Sequence, residues 1–162
     1  MENKRKRIIA WSLMILWMAF IFFMSSQPAE VSSKQSNFVV VLLDMFGMNL
    51  NSRFGELSTY IIRKGAHFTE YMILYFLAFN LLRLYITRKK AYIYSLIIVF
   101  GYACSDEFHQ LFVEGRSGQF KDVFIDTSGG IFGSLLAILK NKIFSKLQYQ
   151  IELVLNYDLR TN

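Results

Sequence analysis

His67 and Glu70 share the string Arg63-Lys64-Gly65-Ala66-His67-Phe68-Thr69-Glu70-Tyr71, and Asp106, Glu107 and Gln110 share Ser105-Asp106-Glu107-Phe108-His109-Gln110. Both strings interrupt apolar stretches. An imidazole and a carboxylate at helical i, i+3 spacing share a face and can work as a general acid/base pair. With Asp106 and Glu107 they offer nitrogen and oxygen donors to a metal, although the spacing matches no standard metal signature. The plain alternative is an ion pair that satisfies buried polar atoms where a helix begins. Asp122 and Asp126 repeat the theme at i, i+4. They could anchor a cation, pair with Lys64 and Arg116, or simply be acids favoured at a helix N-terminus by the macrodipole. Arg116, between Gly115 and Gly118, can grip a phosphate or carboxylate with two prongs, or snorkel toward lipid headgroups. Ser25, Ser26 and Ser105 could be nucleophiles beside His67 or ordinary hydrogen-bonding hydroxyls. His109 falls outside these sets and reads as a surface residue. No glycine-rich phosphate loop and no nucleophile elbow is present. The residues leave the reaction and any cofactor open.

The elements that must position these groups are apolar. The chain has 162 residues, 54% hydrophobic and 17% aromatic, which suits one compact unit. Runs about as long as a bilayer is thick decide the class as an integral membrane protein. One cysteine, Cys104, cannot form an internal disulfide and reads as a buried small side chain, and 2 histidines with it make no zinc finger. The net charge of +6 raises nucleic acid as a partner. That reading fails, because the basic residues sit in blocks flanking apolar runs rather than on one aromatic-interleaved face.

The spacing predicts an all-α, four-transmembrane-helix bundle with spans at about 8–24, 65–86, 91–112 and 120–139. No strand-period alternation argues for a barrel. The first run, Ile8 to Met24, is apolar except for Ser12. A cleavable leader is its competing reading, but the run is long and aromatic, and Ser25-Ser26-Gln27-Pro28 supplies no small-residue cleavage site. Pro28 and Val31-Ser32-Ser33-Lys34-Gln35-Ser36 read as a turn and a helix start. Phe38 to Leu43 is too short to span, being closed off by Asp44, Gly47, Asn49 and Asn51. It therefore reads as a short interfacial or re-entrant helix between spans one and two. Residues 53–62 could form another short helix. Residues 1–139 make up the transmembrane domain, and 140–162 a basic, amphipathic, cytoplasmic tail. Lys4-Arg5-Lys6-Arg7, Arg88-Lys89-Lys90 and Lys140, Lys142 and Lys146 place both termini and the 2–3 loop in the cytoplasm.

In that topology Lys64, His67 and Glu70 open span two, Asp106, Glu107 and Gln110 close span three, and Asp122 and Asp126 open span four. All lie near the outer leaflet. At about 1.5 Å per residue, Asp106 sits roughly 10 Å inside the end of its helix, where a carboxylate needs a partner or a hydrated cleft. Gly129 and Gly133 share a stripe with the two aspartates and suit close helix packing.

The ordered set resembles the VanZ-like family of bacterial membrane proteins. The matching residues are Ser25-Ser26-Gln27; Lys64, His67, Glu70 and Tyr71; Asp106-Glu107 with Gln110; Gly115-Arg116; and Asp122 followed by Asp126 and the glycines. The likeness spans roughly residues 8 to 139. It differs at Asp126, where the namesake often has Asn, which adds negative charge beside Asp122. The resemblance implies a multi-pass protein of the bacterial cytoplasmic membrane tied to the envelope, with a namesake linked to lower teicoplanin susceptibility. It implies no settled chemistry.

The expected function is an outer-leaflet polar cleft that binds an amphiphile, either a lipid-linked cell-wall precursor or a lipoglycopeptide. Membrane lipid is the other expected partner, and the oligomeric state is open. Lys64 and Arg116 would meet an anionic headgroup, while His67, Glu70, Asp106, Glu107, Gln110, Asp122 and Asp126 shape the cleft. Two rival readings use the same residues. One is a hydrolase or transferase of lipid headgroups, with His67, Glu70, Asp106 and Glu107 catalytic and His67, Asp106 and Glu107 as metal ligands. The other is a non-catalytic assembly factor that docks through Gly129 and Gly133.

Overall fold

A computed structural model describes residues 2–161, with side chains through Ile151. Its elements are α1 (Glu2–Ser25), α2 (Ala29–Met45), α3 (Leu50–Phe54), α4 (Leu57–Leu82), α5 (Arg88–Gln110) and α6 (Phe120–Thr161), with no strand among the described residues. The all-α expectation therefore holds. Two helices, α1 and the Phe120–Ile151 portion of α6, are long and apolar enough to cross a membrane.

α4 is the central helix and touches α1, α2, α3, α5 and α6. Tyr71, Leu74, Tyr75 and Ala78, at the helical spacing of a single face, are fully buried along it. The glycine stripe of α6 lets the chains approach. A methyl group at Gly129 would overlap the Phe68 carbonyl, and one at Gly133 would lie 3.1 Å from Tyr75 and 3.2 Å from the Met72 carbonyl. Gly130 turns the other way, with Val99 of α5 2.6 Å from such a methyl. α6 thus lies in the groove between α4 and α5. α1 is fastened by Trp17 Nε1 donating to the Glu70 carbonyl at 2.9 Å, and by Tyr102 of α5 donating to the Met18 carbonyl at 2.6 Å.

The exterior is apolar and much of the interior of one end is polar. Leu16, Phe23, Ile97, Phe124 and Leu135 are exposed, while Asp106, Glu107, Gln110, Asp122 and Asp126 are buried. The three basic blocks gather at the opposite end. Arg7 donates to the Leu84 carbonyl and stacks over Tyr85, and Asn141 donates to the Tyr92 hydroxyl of the first turn and a half of α5.

Several boundaries differ from those read in the sequence. Residues 57–62 do not form a separate short helix but begin α4, so that helix starts well before the expected residue 65. Only Leu50–Phe54 stands alone. It is capped by the Asp44 carboxylate, which accepts from the Leu50 and Asn51 amides, and it ends at Gly55 with φ +55°. The turn and helix start expected from Pro28 to Ser36 fall at the beginning of that stretch, so its serines are already helical. Pro28, with its extended backbone, starts α2 at Ala29, and the Ser36 hydroxyl is absorbed by the Ser32 carbonyl at 2.9 Å. α4 stops at Leu82, so residues 83–86 form the turn into α5 rather than a last helical turn. α6 crosses Lys140 as one continuous helix, since no Gly or Pro follows Gly133 to break it.

Candidate functional site

The site is assembled where α1 ends, α4 passes its second turn, α5 ends and α6 begins. On α5, Asp106 and Gln110 are i, i+4 neighbours facing inward. Asp106 is 3% exposed, and its Oδ2 accepts from the Ser25 hydroxyl at 2.7 Å and from Gln110 Nε2 at 3.2 Å. Gln110 also reaches Ser25 Oγ at 3.2 Å. One carboxylate oxygen is thereby fixed, while Oδ1 is buried without a partner.

α4 contributes Lys64, His67 and Glu70. Lys64 Nζ lies 2.6 Å from Asp122 Oδ1, an ion pair largely closed off from solvent. His67 Nδ1 faces two carboxylates without bonding to either, at 3.7 Å from Asp126 Oδ1 and 4.0 Å from Glu70 Oε2. Asp126 is 1% exposed, and its Oδ2 is unpartnered. One donor atom each from His67, Asp106 and Asp126 lies within 4.8 Å of the others.

The segment 111–119 closes this end. Its Gly118 sits against the Glu107 carbonyl so tightly that a side chain would overlap it, and Glu107 Oε2 accepts from the Gln119 amide at 2.9 Å. Gly115, at φ +69°, lets the chain turn beside Ala29, whose amide donates to the Glu114 carbonyl at 3.1 Å. Arg116 is fixed by Nε donating to the Gln27 carbonyl at 3.1 Å. Burial pulls the Arg116 pKa below its ordinary value, and the Arg63 charge acts in the same direction. A guanidinium nevertheless stays protonated.

Three hollows meet at these residues. The first, about 100 Å³, is ringed by Arg63, Lys64, Arg116 and Lys121, with His67 and Glu107 also lining it. The second, about 140 Å³, lies toward α2 and shares Arg63, His67 and Arg116 with the first, adding Ser32, Ser36 and Glu70. The third is an open groove of about 590 Å³, walled by Trp17, Val39, Ile61, Ile62, Ala66 and Ile73. It meets the second at Val39, Ile62, Ala66 and Glu70. The cationic mouth and the apolar trough thus each share wall residues with the hollow between them.

Lys64, His67, Glu70, Asp106, Glu107, Gln110, Arg116, Asp122 and Asp126 all fall at this one end. They do not act as one ring. His67, Asp106 and Asp126 form the buried centre, whereas Lys64, Asp122, Glu107 and Arg116 form the rim. Glu107, expected with His67 and Asp106 as a donor, lines the same hollow as His67 and accepts from the Gln119 amide through Oε2, while the donor atoms within 4.8 Å of one another belong to His67, Asp106 and Asp126. Neighbours in sequence on α5 diverge by about 100° around the helix, and here Asp106 faces Ser25 while Glu107 faces the Gln119 amide. His109 is half-buried rather than superficial, its ring 4.4 Å from that of Phe22 and Nε2 3.2 Å from Ser26 Oγ. Cys104 is only partly buried. Of the serines, Ser105 turns outward to the Tyr102 carbonyl and Ser26 back to that of Phe22, while Ser25 bonds a carboxylate.

Sequence reasoning missed Arg63 as a member of the mouth and Ser25 as the hydroxyl that orients Asp106. The signal for Arg63 was present: it stands i, i−4 from His67. Gly129 and Gly133 are occupied within the chain by α4, so the stripe expected to serve an assembly partner is already covered.

A family model described as VanZ/LLP1 matches residues 10–141. No curated protein and no solved structure matches the chain.

Proposed function

Because the chain belongs to the VanZ/LLP1 family, we propose that it is an envelope protein of the bacterial cytoplasmic membrane that binds an amphiphile at the outer leaflet. The anionic headgroup enters the cationic mouth, and the hydrocarbon chain lies in the adjoining trough. α1, α4, α5 and α6 cross the bilayer, and α2 and α3 lie at its outer face. Both termini are cytoplasmic. This topology is supported by the gathering of the three basic blocks at one end and by the lipid-like exterior. α4 and α5 carry His67, Glu70, Asp106 and Glu107 within their apolar stretches. Those groups point into the bundle, as ionisable residues within a membrane do.

The observation that carries the proposal is the shared wall of the two hollows. Glu70 and Ala66 border both the apolar trough and the cleft that holds Arg63, His67 and Arg116. A ligand that fills both must have a charged head and a greasy tail. A lipid-linked wall intermediate and the lipid part of a lipoglycopeptide both fit that description. The protein's contribution to teicoplanin-type resistance or envelope homeostasis would follow from capturing either one.

The test is mass spectrometry of lipids and wall precursors that co-purify with the protein from a bacterial host, alongside teicoplanin susceptibility. Wild type should retain an anionic amphiphile that the Arg63→Ala/Arg116→Ala variant loses while inserting normally. Retention of the same species by that variant would refute the assignment of the mouth.

A further inference from the structure

We propose that His67, Asp106 and Asp126 hold a divalent metal ion. Two buried carboxylates face each other at the centre of the bundle, and the nearby cations are directed elsewhere. Lys64 is engaged by Asp122, and Arg116 by the Gln27 carbonyl. Leaving two carboxylates in such a place without a counter-charge is costly, and a bound cation removes the cost. Unpartnered polar atoms gather there, the Tyr71 hydroxyl among them. Asp106 Oδ1, Asp126 Oδ2 and His67 Nδ1 are all buried without hydrogen-bond partners. One donor atom each from these residues lies within 4.8 Å of the others. Ligands bound about 2.0–2.3 Å from a common ion are separated by up to roughly 4.5 Å, so small side-chain shifts complete the site.

The surroundings are those of a held ligand rather than a chance cluster. Ser25 Oγ and Gln110 Nε2 both bind Oδ2 of Asp106 and leave Oδ1 without a partner. Outer partners of this kind orient carboxylate ligands in metal sites. One imidazole nitrogen and two carboxylate oxygens suit Zn²⁺ or Mn²⁺ better than Mg²⁺, which prefers oxygen donors alone. His67 also lines both polar hollows, so the ion's remaining coordination positions open toward the cleft. The ion would add positive charge beneath the headgroup mouth, but its binding does not depend on the amphiphile.

The full-length protein, purified in lipid nanodiscs, is stripped with chelator, dialysed against Zn²⁺ or Mn²⁺ and analysed for metal by mass spectrometry, with thermal unfolding in parallel. Wild type should hold about one ion per chain and melt higher loaded than stripped. Asp126→Asn is nearly isosteric and relieves carboxylate repulsion, so it should fold, melt at the same temperature with or without metal, and hold no ion. Ser25→Ala should keep the site but weaken its affinity about 10- to 100-fold. Glu114→Gln, at an exposed position of segment 111–119, should bind as wild type does. A wild type that carries neither metal at stoichiometric level overturns the proposal. An Asp126→Asn protein that retains the ion overturns it equally.

Discussion

Gly129 of α6 rests directly on the backbone carbonyl of Phe68 in α4, one residue beyond His67. This contact sets the spacing between the helix that carries His67 and the helix that carries Asp126. Gly129→Ala must therefore part the two helices, because the opposing atom is backbone and cannot rotate away. At Gly130 the opposing atom belongs to the Val99 side chain, and at Gly133 the nearest atoms lie at 3.1 Å or more. The expected order of destabilisation is Gly129→Ala, then Gly130→Ala, then Gly133→Ala. The first should cost about 2–3 kcal/mol and the last less than about 1 kcal/mol once the better helix propensity of alanine is counted. Denaturant unfolding in mixed micelles measures the series, and a Gly133→Ala loss exceeding that of Gly129→Ala would contradict it.

Lys64 and Asp122 join the same two helices one turn nearer their N-termini, and both side chains are mostly out of solvent. Removing one partner strands a charge. Lys64→Met should therefore cost about 3 kcal/mol, whereas Lys64→Met/Asp122→Leu should recover most of the loss. The double-mutant cycle reads the coupling directly. Additive single effects would show that the two groups do not depend on one another.

Much of this was legible from the residues. Apolar runs of about bilayer length announced α1, α4, α5 and α6, and the placement of His67, Asp106 and Asp126 toward matching ends of those runs announced their meeting. Helical spacing says which residues share a face but not which partner each will choose. Glu107 was a candidate donor by residue type, and in the structure its Oε2 accepts from the Gln119 amide. That bond exists only after Gly118 lets the segment 111–119 fold onto α5, a tertiary event with no local signature. Ser25 escaped notice as an orienting residue for the same reason, since its partners are 81 and 85 residues away. The start of α4 was read too late because Arg63 and Lys64 resemble the edge of a span. In the structure they are simply the polar turn of a longer helix.

Arg116 is the rim cation best placed for an anion, because the Gln27 carbonyl takes only Nε and the residue lines the pocket shared with Arg63 and Lys64. Each charge-assisted bond to a phosphate is worth about 1.5–3 kcal/mol, or about a 10- to 100-fold change in affinity. Arg116→Ala should weaken dodecyl phosphate by that factor and leave dodecyl maltoside unaffected. Arg116→Lys should recover only part of the loss, because an ammonium cannot make the two-pronged contact. Fluorescence titration with the two detergents distinguishes them. Equal weakening of both would point to a general loss of fold rather than of an anion site.

The trough can be closed without touching the mouth. Gly65 lines it, and a Cβ built there meets nothing within 4 Å. Gly65→Ala should therefore fold at least as well as wild type, with a gain of up to about 1 kcal/mol from helix propensity. Gly65→Leu should fold too, but its side chain occupies the trough. Bilayer hydrocarbon is as apolar as the trough wall, so an acyl chain gains little transfer energy by lying there. The plug must then act by exclusion, and affinity alone reads it poorly. A phosphate-headed lipid carrying a photoreactive group on its acyl chain reads it well. In wild type and Gly65→Ala the label should fall on the segment around Ile61, Ile62 and Ile73, and in Gly65→Leu that labelling should vanish. Unchanged labelling in the plugged protein would place the chain elsewhere on the bundle and separate the mouth from the trough.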